Sequence, residues 1–420
     1  MTCIGSKPTF DKIEIKNPCL RITSIIYVKE NCFLINCGTI YYFNMKTRLL
    51  FLVLLSLFAC ERKKTQFPEK VDIELALKHS EVFDINEHVS SIQYIPLETN
   101  EDCLLGEIRK VVRKEGYIFI SDADGRLFLF DSSGEFIRRI GTTGRAPHEY
   151  LNMTDFVVND SLTNVYINTL GYLYRYDLDG SFKAKMPLEH GNLQVFCIDG
   201  DNRFYYIMPD KRQENGTKSY KIIYIYDNTG NLIKTIDSNT VRTTGRFAYF
   251  NNIYRNKEGV LYKEEFGDIV YRINPDLSID SVFQLNLGRY AFEPEDLDMA
   301  RKDTWEDHYR LNTLFLFDNY VIFNMQKGLI GNNIEPIVYN RRKQTLIYPH
   351  YPPDPELKGI YLDGVKLTPA SDYNDQLICL ISPEDLVENK KNLTGNLKTV
   401  AEKTDENSNP VLAVLNYDRN

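Results

Sequence analysis

The chain has 420 residues, of which 43% are hydrophobic, so it can bury a large core and global disorder is excluded. Its 50 Lys and Arg against 58 Asp and Glu give a net charge of -8 without a long basic run, which argues against nucleic acid as a partner. The 28 Tyr, 23 Phe and recurrent Gly, Asn and Asp clusters favour one large all-β domain.

A stretch that is typical of a protein N-terminus begins at Met45, inside the chain. Residues 1 to 44 show no linker composition and no helical period, and we interpret them as a mis-assigned start or a non-structural leader. The stretch "MKTRLLFLVLLSLFAC", residues 45 to 60, has the charged and apolar regions of a secretory signal. Its apolar run is shorter than the roughly 20 residues of a transmembrane helix. The simplest hypothesis is that Met45 is the true first residue.

The end of this signal contains a cysteine. The sequence "LFAC" resembles the lipobox of bacterial lipoproteins, in which the thiol of the cysteine is acylated and becomes the first mature residue. Phe58 departs from the small residue usual at its position, and an ordinary cleaved signal is the alternative. Two acyl chains would hold the protein at a membrane, since each buried methylene contributes roughly 0.8 kcal/mol. We expect lipidation at Cys60 and a flexible tether over residues 61 to 81.

A repeat begins near residue 105. Its clearest unit, "YIFISDADGRLFLFDSSGEFIRRIG" at residues 117 to 141, alternates short aromatic and β-branched strands with turns. The turn "DSSG" at Asp131 recurs as "DLDG" at Asp177 and "DNTG" at Asp227, and in altered form at Asn274, with spacings of 46, 50 and 47 residues. These spacings suit four-stranded antiparallel propeller blades. Asp accepts backbone N–H bonds in such turns and Gly supplies a positive φ, so both are structural first.

The strand pattern can be divided into blades. Blade one is predicted at 108–112, 117–121, 126–130 and 135–140, and blade two at 155–159, 165–168, 172–176 and 181–187. Blades three, four and five are predicted over about 193–236, 249–285 and 313–349. The sixth, built from "DQLICLIS" and "NPVLAVLNYDRN", stops one strand short. "SSIQYIPLE" at residues 90 to 98 can supply that strand and close the ring.

The prediction is therefore an all-β fold, a six-bladed β-propeller over residues 82 to 420 that pairs its N- and C-terminal strands. Two helical insertions are expected as covers packed on the ring, one over residues 293 to 311 and one after Ser382. Leu393, Leu397, Val400 and Ala401 would form the apolar stripe of the second insertion.

The segment "YIFISDADGRLFLFDSSGEFIRRIGTTGRAPHEY" resembles the NHL-type propeller repeat, whose strand pair and aspartate turn precede a Gly- and Pro-containing loop with an acidic and an aromatic residue. With "LFAC", "YIPLET" and "NPVLAVL", the chain from residue 60 to 420 is similar to six-bladed propeller lipoproteins of Bacteroidetes. This resemblance implies the fold and an envelope location. It implies little chemistry, because that family is largely uncharacterised.

Propellers commonly bind ligands on the face formed by the loops that enter each inner strand and the loops that join the second and third strands of each blade. We call this the entry face. Its predicted ligand-binding residues are mixed in charge, and Arg and Tyr among them could contact a sugar or a peptide. They could equally be solvated loop residues. In NHL repeats, the acidic and aromatic residues of this loop mostly hold the loop to the next blade. The candidates are Asp122, Asp124, Arg126, Arg145, His148, Glu149, Tyr150, Lys211, Arg212, Glu264, Glu265 and Asp268.

No catalytic or metal motif accompanies these residues in the sequence. The six histidines lack HxH or HExxH spacing, no GxSxG elbow occurs, and no cofactor is indicated. We therefore expect a lipid-anchored propeller of the bacterial cell envelope, at the outer membrane, that binds or scaffolds a glycan, peptide or protein. The alternative is an envelope enzyme, a lactonase, lyase or glycosidase, whose ligands for a divalent metal converge in the central channel.

Overall fold

The computed structural model divides the chain into two compact units, Met1–Gln66 and Phe67–Asn420. The described residues of the second unit are 68–169, 171–188, 195–207, 221–237, 252–264, 267–292, 305–328 and 333–417. In the first unit the structure describes only the backbone of four strands, which pair in sequence order as an antiparallel sheet. These are β1 (Lys12–Ile13), β2 (Ser24–Val28), β3 (Asn31–Asn36) and β4 (Thr39–Asn44).

The predicted signal at residues 45 to 60 and the lipidation site Cys60 lie outside the described residues. The signal, the lipid anchor and the mis-assigned start therefore stay predictions. The four strands β1 to β4 lie within residues 1 to 44 and differ from a non-structural leader. Within the described ranges, no helix has the length and the apolar character that crossing a membrane requires.

The second unit begins with short elements that precede the blades. They are β5 (Glu69–Val71), α1 (Ile73–Leu77), β6 (Ser80–Val82), a 3₁₀ turn (Ile85–Glu87) and β7 (Ser91–Pro96).

Six antiparallel blades follow, which confirms the predicted propeller. Blade one contains β8 (Ile108–Lys114), β9 (Tyr117–Asp122), β10 (Leu127–Asp131) and β11 (Phe136–Arg139). Blade two contains β12 (Asp155–Val158), β13 (Val165–Thr169), β14 (Tyr172–Tyr176) and β15 (Phe182–Pro187). Blade three contains β16 (Val195–Ile198), β17 (Phe204–Ile207), β18 (Lys221–Tyr226) and β19 (Leu232–Asp237).

The second half of the ring is more elaborate. Blade four contains β20 (Asn252–Asn256), β21 (Gly259–Lys263), β22 (Ile269–Ile273) and β23 (Ile279–Leu285). Blade five contains β24 (Tyr309–Phe317), β25 (Tyr320–Lys327), β26 (Ile334–Asn340), β27 (Thr345–Tyr351) and β28 (Asp354–Lys358). Blade six contains β29 (Ile360–Leu362), β30 (Val365–Tyr373), β31 (Gln376–Ile381), β32 (Val411–Asn416) and the N-terminal β7.

The core of the propeller consists of the interfaces between blades. Each of six clusters of buried apolar side chains joins one blade to the next around the ring. A middle strand therefore packs on both faces, which explains why β9 and β10 are almost continuously buried rather than alternating. The strands β8, β12, β16, β20, β24 and β30 lie nearest the ring axis.

The aspartate turns have the predicted chemistry. Asp131 Oδ1 accepts hydrogen bonds from the backbone N–H groups of Ser133 (2.8 Å) and Glu135 (3.0 Å), and Gly134 adopts φ +90°. A side chain at residue 134 would also collide with the carbonyl oxygen of Pro96, at the end of β7. The hydrogen bonds lower the pKa of the Asp131 carboxyl, chiefly through the Ser133 hydroxyl. Turns of the same kind form at Asp177 and Asp227.

The ring closes as predicted, because β7 pairs antiparallel with β32. The register runs from Ser91 opposite Asn416 to Pro96 opposite Val411, so all six residues of β7 have partners. Closure removes the open edge that the last strand of the chain would otherwise present.

Asn409 joins the two ends of the chain just before β32. Its side chain is 3% exposed, donates to the carbonyl oxygens of Glu98 (2.6 Å) and Cys103 (2.9 Å), and accepts from the N–H of Leu105 (2.9 Å). Its backbone N–H donates to the hydroxyl of Thr99 (2.8 Å). The "NPVLAVL" and "YIPLET" segments therefore meet at one buried amide, which we call the Asn409 latch.

The structure differs from the prediction of a tether over residues 61 to 81. Residues 61 to 67 lie outside the described part, but from Glu69 onward the chain runs along the outside of the ring. There β5 pairs parallel with β23 of blade four, and β6 pairs parallel with β27 of blade five. We call residues 69–82 the strap. Its strands are only three residues long, too short for a periodic pattern to reveal.

The strap is also held by side chains. Val71 and Ile73 are at most 1% exposed and pack into the core between blades four and five. The carboxylate of Glu69 pairs with the guanidinium of Arg341 in blade five, which also pairs with Glu258 in blade four. The strap thus ties two neighbouring blades together from outside.

The two predicted helical insertions had different outcomes. For the first, residues 293–304 lie outside the described part, and the prediction is wrong at its end because Tyr309 begins β24. The alternation of "YRLNTLFLF" fits this strand better than a helix.

The second insertion is helical, with α2 (Pro383–Asn389) and α3 (Gly395–Ala401). Ser382 caps α2, since its hydroxyl accepts the N–H of Asp385 at 3.0 Å. The predicted apolar stripe packs on the ring between blades five and six: Leu393, Leu397 and Ala401 are buried there and Val400 partly so.

The Asn409 latch predicts a large stability effect at a position with little apolar area. Asn409→Ala would leave a buried N–H and two buried carbonyl groups without their partner, and each such loss costs about 1–3 kcal/mol. We expect its free energy of unfolding, measured by urea titration, to fall by about 2–5 kcal/mol. The exposed Asn407→Ala, two residues away, is the matched control and should change it by less than about 0.5 kcal/mol. Equal effects would contradict the latch.

Candidate functional site

The predicted residues of blade one form a self-contained turn on the entry face. The side chain of Asp122 is buried and accepts from the backbone N–H (3.0 Å) and Nε (2.8 Å) of Arg126. The exposed Asp124 also pairs with Arg126, at 3.1 Å. The guanidinium lies 5.1 Å from the ring centroid of Phe128. Both carboxylates are therefore paired with the same guanidinium.

The next predicted group holds a loop in place. Glu149 Oε2 accepts the N–H of Ala146 at 2.8 Å, which closes the "RAPHEY" loop on itself. Tyr150 is 1% exposed and its hydroxyl donates to the carbonyl oxygen of Gly125 at 3.1 Å. Burial raises the pKa of Tyr150 to about 12.

The other members of this loop differ in exposure and in role. His148 contributes its carbonyl oxygen, which accepts from the hydroxyl of Tyr176, while its side chain and that of Arg145 are exposed.

Of the remaining predicted residues, some lie in the described part of the chain and others outside it. Lys211, Arg212 and Glu265 lie outside the described residues. Glu264 and Asp268 lie in the loop that joins β21 to β22 of blade four, where Glu264 is 1% exposed and Asp268 is exposed.

A cavity of about 430 Å³ opens beside this loop, between blades four and five. We call it the blade 4–5 pocket. Its walls come from the β21–β22 loop, the end of β23 and the segment after it, the start of β24, and the strap. The described lining residues are Lys70, Lys263, Gly267, Asp268, Gln284, Leu285, Asn286, Leu287, Gly288, Ala291, Phe292, Tyr309, Arg310 and Leu311.

Hydrogen bonds fix the polar wall of the pocket. Asp268 Oδ2 accepts from the amide nitrogen of Gln284 at 2.9 Å, and the Asp268 carbonyl accepts the N–H of Leu285 at 2.7 Å. The loop and the end of β23 therefore hold one another in register. This leaves a carboxylate and a side-chain amide side by side at the rim.

Buried cations form a second part of the wall. Lys263 and Arg310 are each 4% exposed. Lys263 Nζ donates to the carbonyl of Glu264 at 2.9 Å, and a guanidinium nitrogen of Arg310 donates to Gln326 Oε1 at 2.7 Å. Charged side chains are seldom buried unless they are hydrogen-bonded or paired, so their concentration around one cavity marks it as unusual.

The rest of the lining is apolar. Leu285, Leu287 and Leu311 form buried walls, and Phe292 and Tyr309 add aromatic surface. A pocket of this size with apolar walls and a few converging polar groups is the usual form of a small-molecule site. It can hydrogen-bond hydroxyl or carboxyl groups while an apolar ring face rests on the walls.

Sequence reasoning missed most of this site. It selected Glu264 and Asp268 but placed Tyr309 and Arg310 in a helix, and it gave no role to Gln284. The missed signal was the strand alternation that begins at Tyr309, which would have brought the start of β24 to the entry face.

At the opposite end of the ring axis the charges are paired across blades. Asp160 of blade two accepts from Lys114 of blade one (2.6 Å) and from Arg255 of blade four (2.5 and 2.8 Å). The hydrogen bonds from Arg255, and then from Lys114, lower the pKa of Asp160 to about 2. Lys257 pairs similarly with Asp375 of blade six. These pairs cross-link the inner strands.

The alternative of an envelope enzyme calls for a group of metal-binding side chains in the central channel. Among the residues that the structure describes, no three or more His, Cys, Asp or Glu side chains are grouped as a metal ion would need. Cys103, Cys197 and Cys379 are buried free thiols. Burial raises the pKa of Cys197 to about 12, so at neutral pH this thiol is protonated.

One carboxyl near the axis is strongly perturbed. Asp372, on β30, accepts the N–H of Leu316 in β24 at 3.1 Å. The positive charge of Lys257 also acts on this carboxyl. Although the side chain retains some accessible surface, the protein around it desolvates the carboxyl and raises its pKa to about 7. A carboxyl whose pKa lies near neutrality can exchange a proton at physiological pH.

Comparison with known proteins agrees with the fold. A family model described as a domain of unknown function, DUF4934, matches residues 68–416. No curated protein is significantly similar to the chain in sequence.

Among solved structures, a protein of Bacteroides fragilis named as a candidate exported protein is similar at 14% identity and a TM-score of 0.63, covering 84% of this chain and 100% of that one. A member of the DUF4221 family from Bacteroides vulgatus matches at 12% identity and a TM-score of 0.48, covering 79% and 97%. The first similarity supports the propeller fold.

The raised pKa of Asp372 predicts a pH-dependent cost. Between about pH 4 and pH 7 the unfolded state ionises this carboxyl while the native state keeps it protonated, so the residue destabilises the fold increasingly as the pH rises. The stability of Asp372→Asn relative to the wild type should therefore increase from pH 4 to pH 7 and stay constant above pH 7. Urea titrations at pH 4 to 9 measure it. A difference that does not change with pH would contradict the assignment.

Proposed function

The chain belongs to the DUF4934 family, and we propose that it is an exported, lipid-anchored propeller of the bacterial envelope that binds a glycan. The observation that carries this proposal is the blade 4–5 pocket, where a carboxylate, an amide and two buried cations converge on an apolar wall. The pocket lies on the entry face and is built by four separate segments. Two neighbouring blades and the strap therefore form it together.

The chemistry of the lining suits a sugar. Asp268 and Gln284 offer an acceptor and donors side by side, already oriented by their own 2.9 Å hydrogen bond. Vicinal hydroxyl groups of a pyranose can bond to both at once. Phe292 and Tyr309 supply the aromatic surface on which the C–H face of a sugar ring can rest.

The strap argues against a peptide that binds as an added strand. Such a peptide needs a sheet edge with unpaired N–H and C=O groups. Beside the pocket, the outer strand β23 is already paired with β5, and β27 of blade five with β6. Both edges next to the site are therefore occupied by the chain itself.

The proposed cellular location rests on the N-terminal sequence and on a protein of similar fold. Residues 45 to 60 have the form of a secretory signal ending at Cys60, and the Bacteroides fragilis protein of similar fold is named as a candidate exported protein. Two acyl chains on Cys60 would hold the ring at the outer membrane. The segment between Cys60 and the strap would then be the tether.

Binding by the pocket can be tested with an array of soluble oligosaccharides and titration calorimetry on those that bind. Asp268→Ala removes the acceptor at the rim and should weaken the best binder about tenfold or more, because hydrogen bonds to charged groups contribute about 1.5–3 kcal/mol. Asp124→Ala, an exposed aspartate on the same face of blade one, is the matched control and should change affinity less than twofold. No binding on the array, or equal losses, would refute the proposal.

Lipidation can be tested in cells that carry the native gene. Metabolically incorporated palmitate should label the wild-type protein and be lost in Cys60→Ala, because acylation occurs on this thiol. The variant protein should move from the membrane fraction to the soluble fraction. Persistence of the label in Cys60→Ala would exclude Cys60 as the lipidation site.

A further inference from the structure

A second cavity of about 310 Å³ lies next to the blade 4–5 pocket, on the outer part of blade five. Tyr309 lines both cavities. The turn after β23 also separates them, since Gly288 and Ala291 face the first cavity and Tyr290 the second. The rings of Tyr290 and Tyr309 meet edge to face with centroids 6.0 Å apart. The two tyrosine rings therefore form part of the wall between the cavities.

The second cavity is organised around a buried carboxylate. Glu335 is 7% exposed, and its Oε2 atom accepts from the hydroxyls of Tyr309 (3.0 Å) and Tyr348. No described residue donates a hydrogen bond to Oε1. A carboxylate held rigidly by two hydroxyls can accept a further hydrogen bond from a ligand hydroxyl without a new ordering cost.

The strap lines both cavities. Lys70 belongs to the first, and Leu77, Lys78 and Ser80 belong to the second. The N–H of Glu74, between these residues, donates to the carbonyl of Asn286 at 2.8 Å and fixes the strap against the turn. One continuous segment thus contributes to the walls of both cavities.

The groove is more positive than the rest of the molecule. Of the described residues that line the two cavities, six are Lys or Arg and four are Asp or Glu, although the chain has a net charge of -8. In the first cavity three cations face one acid. A locally positive cleft attracts anionic ligands.

From these contacts we infer that the two cavities form a single groove for an acidic oligosaccharide, a chain of carboxylated sugars that fills both cavities and crosses the Tyr290–Tyr309 wall with the units between them, so that a disaccharide is too short to fill it. Carboxylates would pair with the cations, while hydroxyls would bond to Asp268 and Glu335. This inference rests on the proposed glycan binding and specifies the charge and length of the ligand.

The test is an array of uronic acid oligosaccharides of two and six units, each also present as its neutral methyl ester, together with a hexaglutamate peptide. We expect the acidic hexasaccharide to bind at least tenfold more tightly than its ester, the acidic disaccharide and the peptide. The preference over the ester should shrink as salt is raised from 50 to about 500 mM, since exposed charges are screened.

Each alternative binding result would contradict a different part of the inference. Esters that bind as tightly as acids would overturn the charge assignment, and disaccharides that bind as tightly as hexasaccharides would overturn the two-cavity groove. Both of these results would leave glycan binding intact. Equal binding of the peptide would refute the glycan class, and no binding of any sugar would refute the proposed function itself.

A pair of lysine variants localises the ligand. Lys327, at the end of β25, lines the second cavity, whereas the exposed Lys343 lies between β26 and β27 on the opposite face of the same blade. Lys327→Ala should weaken the acidic hexasaccharide about fivefold or more. Lys343→Ala should change it less than twofold, which controls for the loss of one positive charge. Equal effects of the two variants would overturn the inference.

Discussion

Pairing of the first propeller strand with the last is the constraint on which the rest of the structure depends. Blades stabilise one another only through their interfaces, so the interface between blades six and one must be as complete as the others. It is completed by β7 on β32 and by the amide of Asn409, which satisfies backbone groups on both sides of the closure. A polar latch of this kind also fixes the register, because a shifted pairing would leave these buried groups without partners.

Closure has a consequence for the site, since it sets the path of the N-terminal segment. To reach blade six, the chain crosses the outer strands of blades four and five, pairs with both, and becomes the strap. The strap covers two sheet edges that could otherwise recruit a foreign strand. It also provides the outer wall of the groove. The strap would thus lie between the export signal and the closing strand β7 and would contribute to the ligand site.

Much of the fold could be predicted from the sequence because its signals are local. The turns at Asp131, Asp177 and Asp227 each need one acceptor and one positive φ, so their spacing revealed the length of a blade. The groove was hidden because its residues come from many separate segments whose contacts are tertiary. The three-residue strands of the strap carry no period, and the helix expected through Tyr309 obscured the start of β24. The loop of Glu149 was selected for its charge, but its polar groups are used to hold the backbone.

The most direct test is amide hydrogen exchange with and without the acidic hexasaccharide. If the groove is the binding site, the ligand should slow exchange in the strap, residues 69–82, and in the turn at residues 286–292, by at least threefold. Peptides from the loops of blades one and two, including Asp122 to Arg126, should be unchanged. Protection confined to those loops or to the inner strands around Asp372 would contradict the groove and would support a site on the ring axis.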